Sequence, residues 1–229
     1  MPILKFYDPD HHQDTNNLLL FLISLLGIII FPVFGILLGD YTQIFFKISF
    51  SIVICMGAYI VTESKTSLRI GILLGLIFLF FLWGEKLSAV FPFLELVVSV
   101  LFFGFVAHQI RGLLSRNSNI TINTIYGAII GYLLIGIIGG QLCLMINLIQ
   151  PGSFEMSLPH NRFSYFYYSF VCLTTLGFGD VVPTNDASGA LSILIAITGQ
   201  IYLTIIIAII VGKYLGQAQS NSNSKENKK

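Results

Sequence analysis

The chain has 229 residues, of which 55% are hydrophobic and only 10% charged, with a formal net charge of +1. Soluble domains carry about 25% charged residues, so a soluble protein is disfavoured, and the near-zero net charge excludes a nucleic-acid or other polyanion binder on charge grounds. Cys55, Cys143 and Cys172 all lie in apolar segments without a Cys-x-x-Cys pair, which leaves no disulfide framework and no zinc site; they read as small packing residues.

Residues 1–17 read as an N-terminal tail. They hold Lys5 together with Asp8, Asp10 and Asp14, ahead of an apolar run too long for a signal core, so that run is expected to be an uncleaved first span. His11 and His12 have no further ligands nearby and read as solvated. Apolar stretches at 18–38, 44–61, 68–83, 87–107, 120–149 and 189–215 have the lengths that cross a bilayer as helices. The third is short and the fifth long, a mismatch that tilt absorbs. The stretch 162–175 is too short to span and predicts a re-entrant helix. The expected fold is therefore an all-α integral membrane protein with six transmembrane helices and one re-entrant helix.

Six spans put both termini on one side, with Lys5, Lys65, Arg69, Arg111, Arg116, Lys213, Lys225, Lys228 and Lys229. The other side has Lys47, Lys86 and Arg162. The positive-inside rule then places both termini in the cytoplasm, in a multi-pass protein of the cell membrane. Tyr41 and Trp83 fall near outer ends and Tyr59 and Tyr214 near inner ends, as interfacial anchors.

Residues 18–110 read as a four-helix bundle, with kinks expected at Pro32 and Pro92. Glu95 is the one acid well inside a span, and an intramembrane charge is a functional candidate by default. It is either a structural group, paired with Lys47 or protonated against a neighbouring helix, or one linked to protons or gating. Residues 111–119 are expected to form a short cytoplasmic linker. Residues 217–229 are polar and low in complexity and predict a disordered cytoplasmic tail.

Residues 120–216 form a span, an outer loop, the re-entrant helix, the run Thr174-Thr175-Leu176-Gly177-Phe178-Gly179-Asp180 and a last span. Two glycines one residue apart make a poor helix and a poor strand, but they adopt backbone angles denied to other residues. Irregular backbone at membrane depth is tolerated where it is buried in protein or lines a watery path. An inward-running short helix would end with about half a negative charge facing the membrane centre, which favours a cation there. One loop offers too few oxygens to replace a hydration shell, so the chemistry demands several copies around an axis.

The 174–180 run resembles the selectivity filter of the potassium channel superfamily, Thr-Val-Gly-Tyr-Gly-Asp, in its Thr-Leu-Gly-Phe-Gly-Asp form. The resemblance covers residues 120–216 and implies a homotetramer in a lipid bilayer that conducts K+ without any cofactor. It implies ion-binding carbonyls from Thr175, Leu176, Gly177 and Phe178, with Gly179 completing the filter and the Thr175 hydroxyl at its inner mouth. Thr174 and Asp180 would support the filter, Asp180 bracing it from behind at the outer end. Gly199 matches the family's hinge glycine in the inner helix; it reads equally as a small residue at a helix contact.

Departures from the family pattern shape the remaining expectations. Tyr167-Tyr168 stand where the family often has other aromatic pairs, and Phe178 lacks the hydroxyl of a filter tyrosine. One of the two tyrosine hydroxyls is expected either to bond Asp180 or simply to pack. Val171 stands where some members have a glutamate. Residues 87–110 hold no Arg or Lys, so little intrinsic voltage sensing is expected, because each charge moved across 100 mV contributes only about 2.3 kcal/mol. Leu203, Ile207 and Val211 follow Gly199 along one stripe and could close the pore by dewetting. Gly127 and Gly131, and Gly136 and Gly140, sit four apart and suggest close helix packing, against the inner helix. Glu155 in the outer loop reads as a solvated acid. The competing functions are a pore that passes Na+ and K+ alike and, from another class, a K+ uptake transporter subunit. No phosphate-binding loop or nucleophile elbow supports an enzyme.

Overall fold

The computed structural model describes residues 9–34, 42–60, 65–84, 90–116 and 121–226. Expectations resting on Lys5, Tyr41, Lys86, Lys228 and Lys229, or on the side chains of His11, His12, Arg116 and Lys225, lie outside the described residues. Helix α1, Pro9–Ile30, takes its proline at the first helical position, where the missing N–H has no intrahelical acceptor to lose. It gives way to a single 3-10 turn, Phe31–Phe34. Pro32 thus ends the α-helix rather than kinking it, because proline cannot donate and restricts the residue before it.

Helices α2 (Thr42–Ile60), α3 (Lys65–Trp83) and α4 (Phe91–Arg116) follow. Pro92 lies in the first turn of α4, where it is tolerated, so the expected second kink is also absent. The later start of α4 brings Glu95 to its second turn rather than deep in the span. Residues 111–116, expected as linker, continue the helix. The long helices α5 (Ile122–Ile149) and α7 (Asp186–Glu226) flank α6 (Arg162–Leu173). Helix α7 runs through 217–226, where a disordered tail was expected: once nucleated, a helix extends without repeating the nucleation cost. N-terminal tail and helix likewise merge from Pro9 onward.

Among the described residues, five stretches are long and apolar enough to cross a membrane: Thr15–Val33, Lys65–Trp83, Phe91–Gly112, Ile122–Ile149 and Asp186–Gly216. The apolar part of α2, Ile44–Ile60, is shorter; the whole helix of 19 residues reaches about 28 Å, close to one hydrocarbon thickness.

Helices α1 to α4 pack in sequence, and both α1 and α4 pack on α5. Phe50 of α2 sits at the centre of the core, edge-on to Phe78 of α3 and Phe103 of α4, with centroids 6.4 and 6.1 Å away. The same buried cluster takes in Ile130, Leu133, Leu134 and Ile137 of α5 and Phe166 of α6. Bundle and following unit therefore share one core, where the sequence suggests two segments joined by a connector. A second cluster, around Cys143, Phe154, Tyr165, Tyr168, Leu173 and Ile195, lies behind α6.

Candidate functional site

Helix α6 is fixed at both ends. Asn161 caps its start, with Oδ1 accepting from the Ser164 N–H at 3.1 Å. Along its length Phe166 and Phe170 lie against Gly140 and Gly136 of α5, where any Cβ would collide with the rings, and the Ser169 hydroxyl donates to the Gly136 carbonyl at 2.8 Å. The Gly136–Gly140 pair thus receives α6 rather than the last helix. Gly131 does face the last helix, against Tyr202.

The chain leaves α6 through Thr174, whose N–H bonds the Phe170 carbonyl at 3.0 Å and whose hydroxyl reaches the same oxygen at 2.6 Å. The next two N–H groups turn back onto the helix end: Thr175 onto Cys172 and Leu176 onto Val171, both at 3.0 Å. Thereafter every second residue has a positive φ: Thr175 at 59°, Gly177 at 60° and Gly179 at 79°. A chain whose φ alternates in sign turns successive carbonyls towards one side. Glycine accepts the left-handed region freely, but a β-branched threonine there is strained by about 1–3 kcal/mol. Among the described residues Thr175 is the sole non-glycine with positive φ, and its strained conformation is something the sequence pattern did not foretell.

Residues 174–179 are exposed, with Leu176 at 60% and Phe178 at 64%, unusual for large apolar side chains in a loop. The Tyr167 ring stacks on Phe178, 6.4 Å between centroids and 11° between planes, and its hydroxyl donates to Asp180 Oδ2 at 2.6 Å. Of the two tyrosines it is thus Tyr167 that reaches Asp180. The Tyr168 hydroxyl meets the Ser192 hydroxyl at 2.6 Å, and its ring packs on Phe154.

Beyond Asp180 the loop is clamped from outside. Strand β1, Phe154–Met156, pairs antiparallel with β2, Val181–Pro183, with Glu155 opposite Val182. The Ser157 N–H adds a bond to the Asp180 carbonyl at 2.9 Å, and Thr184 and Asn185 bond back to Ser153. Asn185 and Ser188 cap α7 reciprocally. This strand pair was not legible: three residues on each side carry too little alternation to signal a strand.

On the other side of the loop, a Cβ at Gly199 of α7 would run into the Leu173 carbonyl oxygen. That close approach brings the next residue, Gln200, to the loop: its Nε2 lies 3.4 Å from the Thr175 hydroxyl. The Tyr132 hydroxyl donates to the Leu173 carbonyl at 3.2 Å, and the Tyr202 hydroxyl to the Ala128 carbonyl at 2.7 Å. Gln200 was missed from sequence; an amide directly after the glycine, in an apolar helix, was the available signal. Leu203, Ile207 and Val211 recur every fourth residue after Gly199 and are 38%, 60% and 50% exposed. Among the described residues no group of three or more His, Cys, Asp or Glu could hold a metal ion.

Residues 120–215 match the family model described as "Ion channel", a segment reaching from the start of α5 through the loop to Leu215. No curated protein and no solved structure matches the chain. The match supports an ion channel of the pore-loop cation type, points away from an enzyme and, with the apolar helices, supports an integral membrane protein.

Proposed function

We propose that the protein is a K+-selective channel in which four copies of the chain surround one path and K+ passes passively, with little intrinsic voltage sensing. The observation that carries this reading is the alternation of φ at Thr175, Gly177 and Gly179, directly after a short helix that ends at Leu173. In that conformation the carbonyls of Thr175, Leu176, Gly177 and Phe178 can line a path and stand in for the waters a K+ ion sheds. The negative end of α6 favours a cation at the inner mouth. One loop supplies one wall. Its carbonyls cannot face lipid, which offers no hydrogen-bond donors, so further copies are the natural cover.

Both termini would then lie in the cytoplasm, with the strand pair on the outer side of a cell membrane. Gly179 completes the loop, Thr174 and Asp180 support it, and Gly199 seats the inner helix against α6 whether or not it also bends. The unbroken Gly-Phe-Gly favours K+ over a pore that passes Na+ equally. A single complete loop per chain favours a channel over an uptake transporter subunit, whose loops come four to a chain.

Liposomes loaded with K+ and holding the purified protein test this directly. Wild type should release K+, with a reversal potential in K+/Na+ gradients that follows K+. Gly177→Ala should form the same oligomer and release none, since a Cβ at φ 60° costs about 1–2 kcal/mol in each copy. Equal release from Gly177→Ala would remove the filter reading, and a reversal potential near zero would replace it with a non-selective pore.

A further inference from the structure

Glu95 is fully buried in the second turn of α4, and Arg162, the first residue of α6, meets it with both terminal nitrogens. Nη1 donates to Oε1 and Nη2 to Oε2. A planar two-point pair of this kind fixes direction as well as distance. Lys47, the partner expected from sequence, lies over the Trp83 ring, 5.8 Å from its centroid. One turn into α6, Phe166 packs on Phe50 and Phe46 of α2, with centroids 5.6 and 5.9 Å apart. The start of α6 is thus held to the bundle at two independent points within one chain.

We infer that the four-helix bundle acts on the filter loop directly, through the start of α6, and that Glu95 and Arg162 are positioning residues that keep the filter in its conducting form. The inference rests on the channel reading above. Helix α6 has 12 residues and behaves as a stiff rod about 18 Å long, so a tilt at Arg162 moves Leu173. From there the movement reaches the loop through the Leu176–Val171 bond and through Tyr167, which holds both Asp180 and Phe178. The bundle packs on α5 and α6, and α7 packs on the same two helices. A displacement of α4 can therefore reach the filter end of the pore through α6 without first moving α7, which carries the inner stripe at Leu203, Ile207 and Val211.

Single-channel recording of the full-length protein in planar bilayers tests this with Glu95→Gln, Arg162→Gln and the double variant. Each single change should lower open probability about fivefold or more, the range of one allosteric coupling, with reversal potential unchanged. The double variant should resemble either single one rather than their product, because both remove the same bond. Phe46→Leu, which loosens the aromatic contact and touches no charge, should lower open probability in the same direction. If Glu95→Gln fails to assemble, Arg162→Lys takes its place: it keeps the charge, loses the two-point geometry, and should also gate poorly. Open probability within twofold of wild type in the assembled variants would overturn the inference, as would single effects that multiply in the double. A wild type that passes no K+ would sink the channel reading instead.

Discussion

Replacing Tyr167 by Phe isolates a single bond at the proposed filter loop. The ring stack on Phe178 survives, and only the hydroxyl that reaches Asp180 Oδ2 at 2.6 Å is lost. A bond to a charged group contributes about 1.5–3 kcal/mol when well shielded. Asp180 is only half-buried, so solvent screening brings this to the lower end, about 1–1.5 kcal/mol in each chain. If one slackened loop of the proposed tetramer is enough to close the path, open probability falls about tenfold; if its four loops must give way together, the bonds add and the fall is steeper. The control is Tyr168→Phe, whose hydroxyl bonds Ser192 of α7 rather than Asp180. Single-channel recording in symmetric K+ should show Tyr167→Phe closed most of the time and Tyr168→Phe near wild type. Equal open probabilities in the two variants would refute the assignment of the brace to Tyr167.

Other changes probe the inner side. Gly199→Ala gains about 1 kcal/mol of helix propensity but drives a methyl into the Leu173 carbonyl, an overpacking cost of about 1–3 kcal/mol; thermal melting in detergent should show lower oligomer stability, and an unchanged or raised melting point would leave the hinge as the better account of this glycine. Gln200→Leu removes the amide beside the Thr175 hydroxyl and should weaken block by Ba2+ applied from the inner side several-fold, by about 1 kcal/mol for one neutral hydrogen bond; identical block would mean that the amide does not shape the inner mouth. Ile207→Asn or Val211→Asn should raise open probability by wetting an apolar constriction, and no change across Leu203, Ile207 and Val211 would remove the inner gate.

The parts of this molecule that were readable in the chain are those dictated by local chemistry. Long apolar runs announce helices, and two glycines beside a threonine announce a loop of unusual backbone. Pro32 and Pro92 show where that reading stops: each was visible as a helix breaker, but whether it kinks or merely ends a helix depends on where the helix starts. Glu95 was visible as an anomaly and its partner was not, because Arg162 lies 67 residues away and stands in sequence beside a polar outer loop. Tyr167 and Tyr168 are adjacent and chemically identical, so only their positions around α6 decide which one meets Asp180. The strand pair beyond Asp180 and the approach of α7 at Gly199 are tertiary events with almost no local signature.

The pair between the buried Glu95 and the partly exposed Arg162 also bears on why four helices without sensor charges accompany the pore. Withdrawing the Glu95 carboxylate from water costs several kcal/mol, and its attraction to the partly exposed Arg162 roughly repays it, so a pair of well-packed apolar residues would stabilise the interface equally well. Stability alone therefore gives no reason for placing a fully buried carboxylate in α4. Apolar contacts such as Phe166 against Phe50 are non-directional and tolerate sliding or rotation, whereas the two-point pair accepts one approach and one register. In the proposed channel, a helix whose far end presents a strained threonine and two left-handed glycines to the path needs that register more than it needs affinity. The aromatic core holds α6 against the bundle; on the inference drawn above, the ion pair sets the angle.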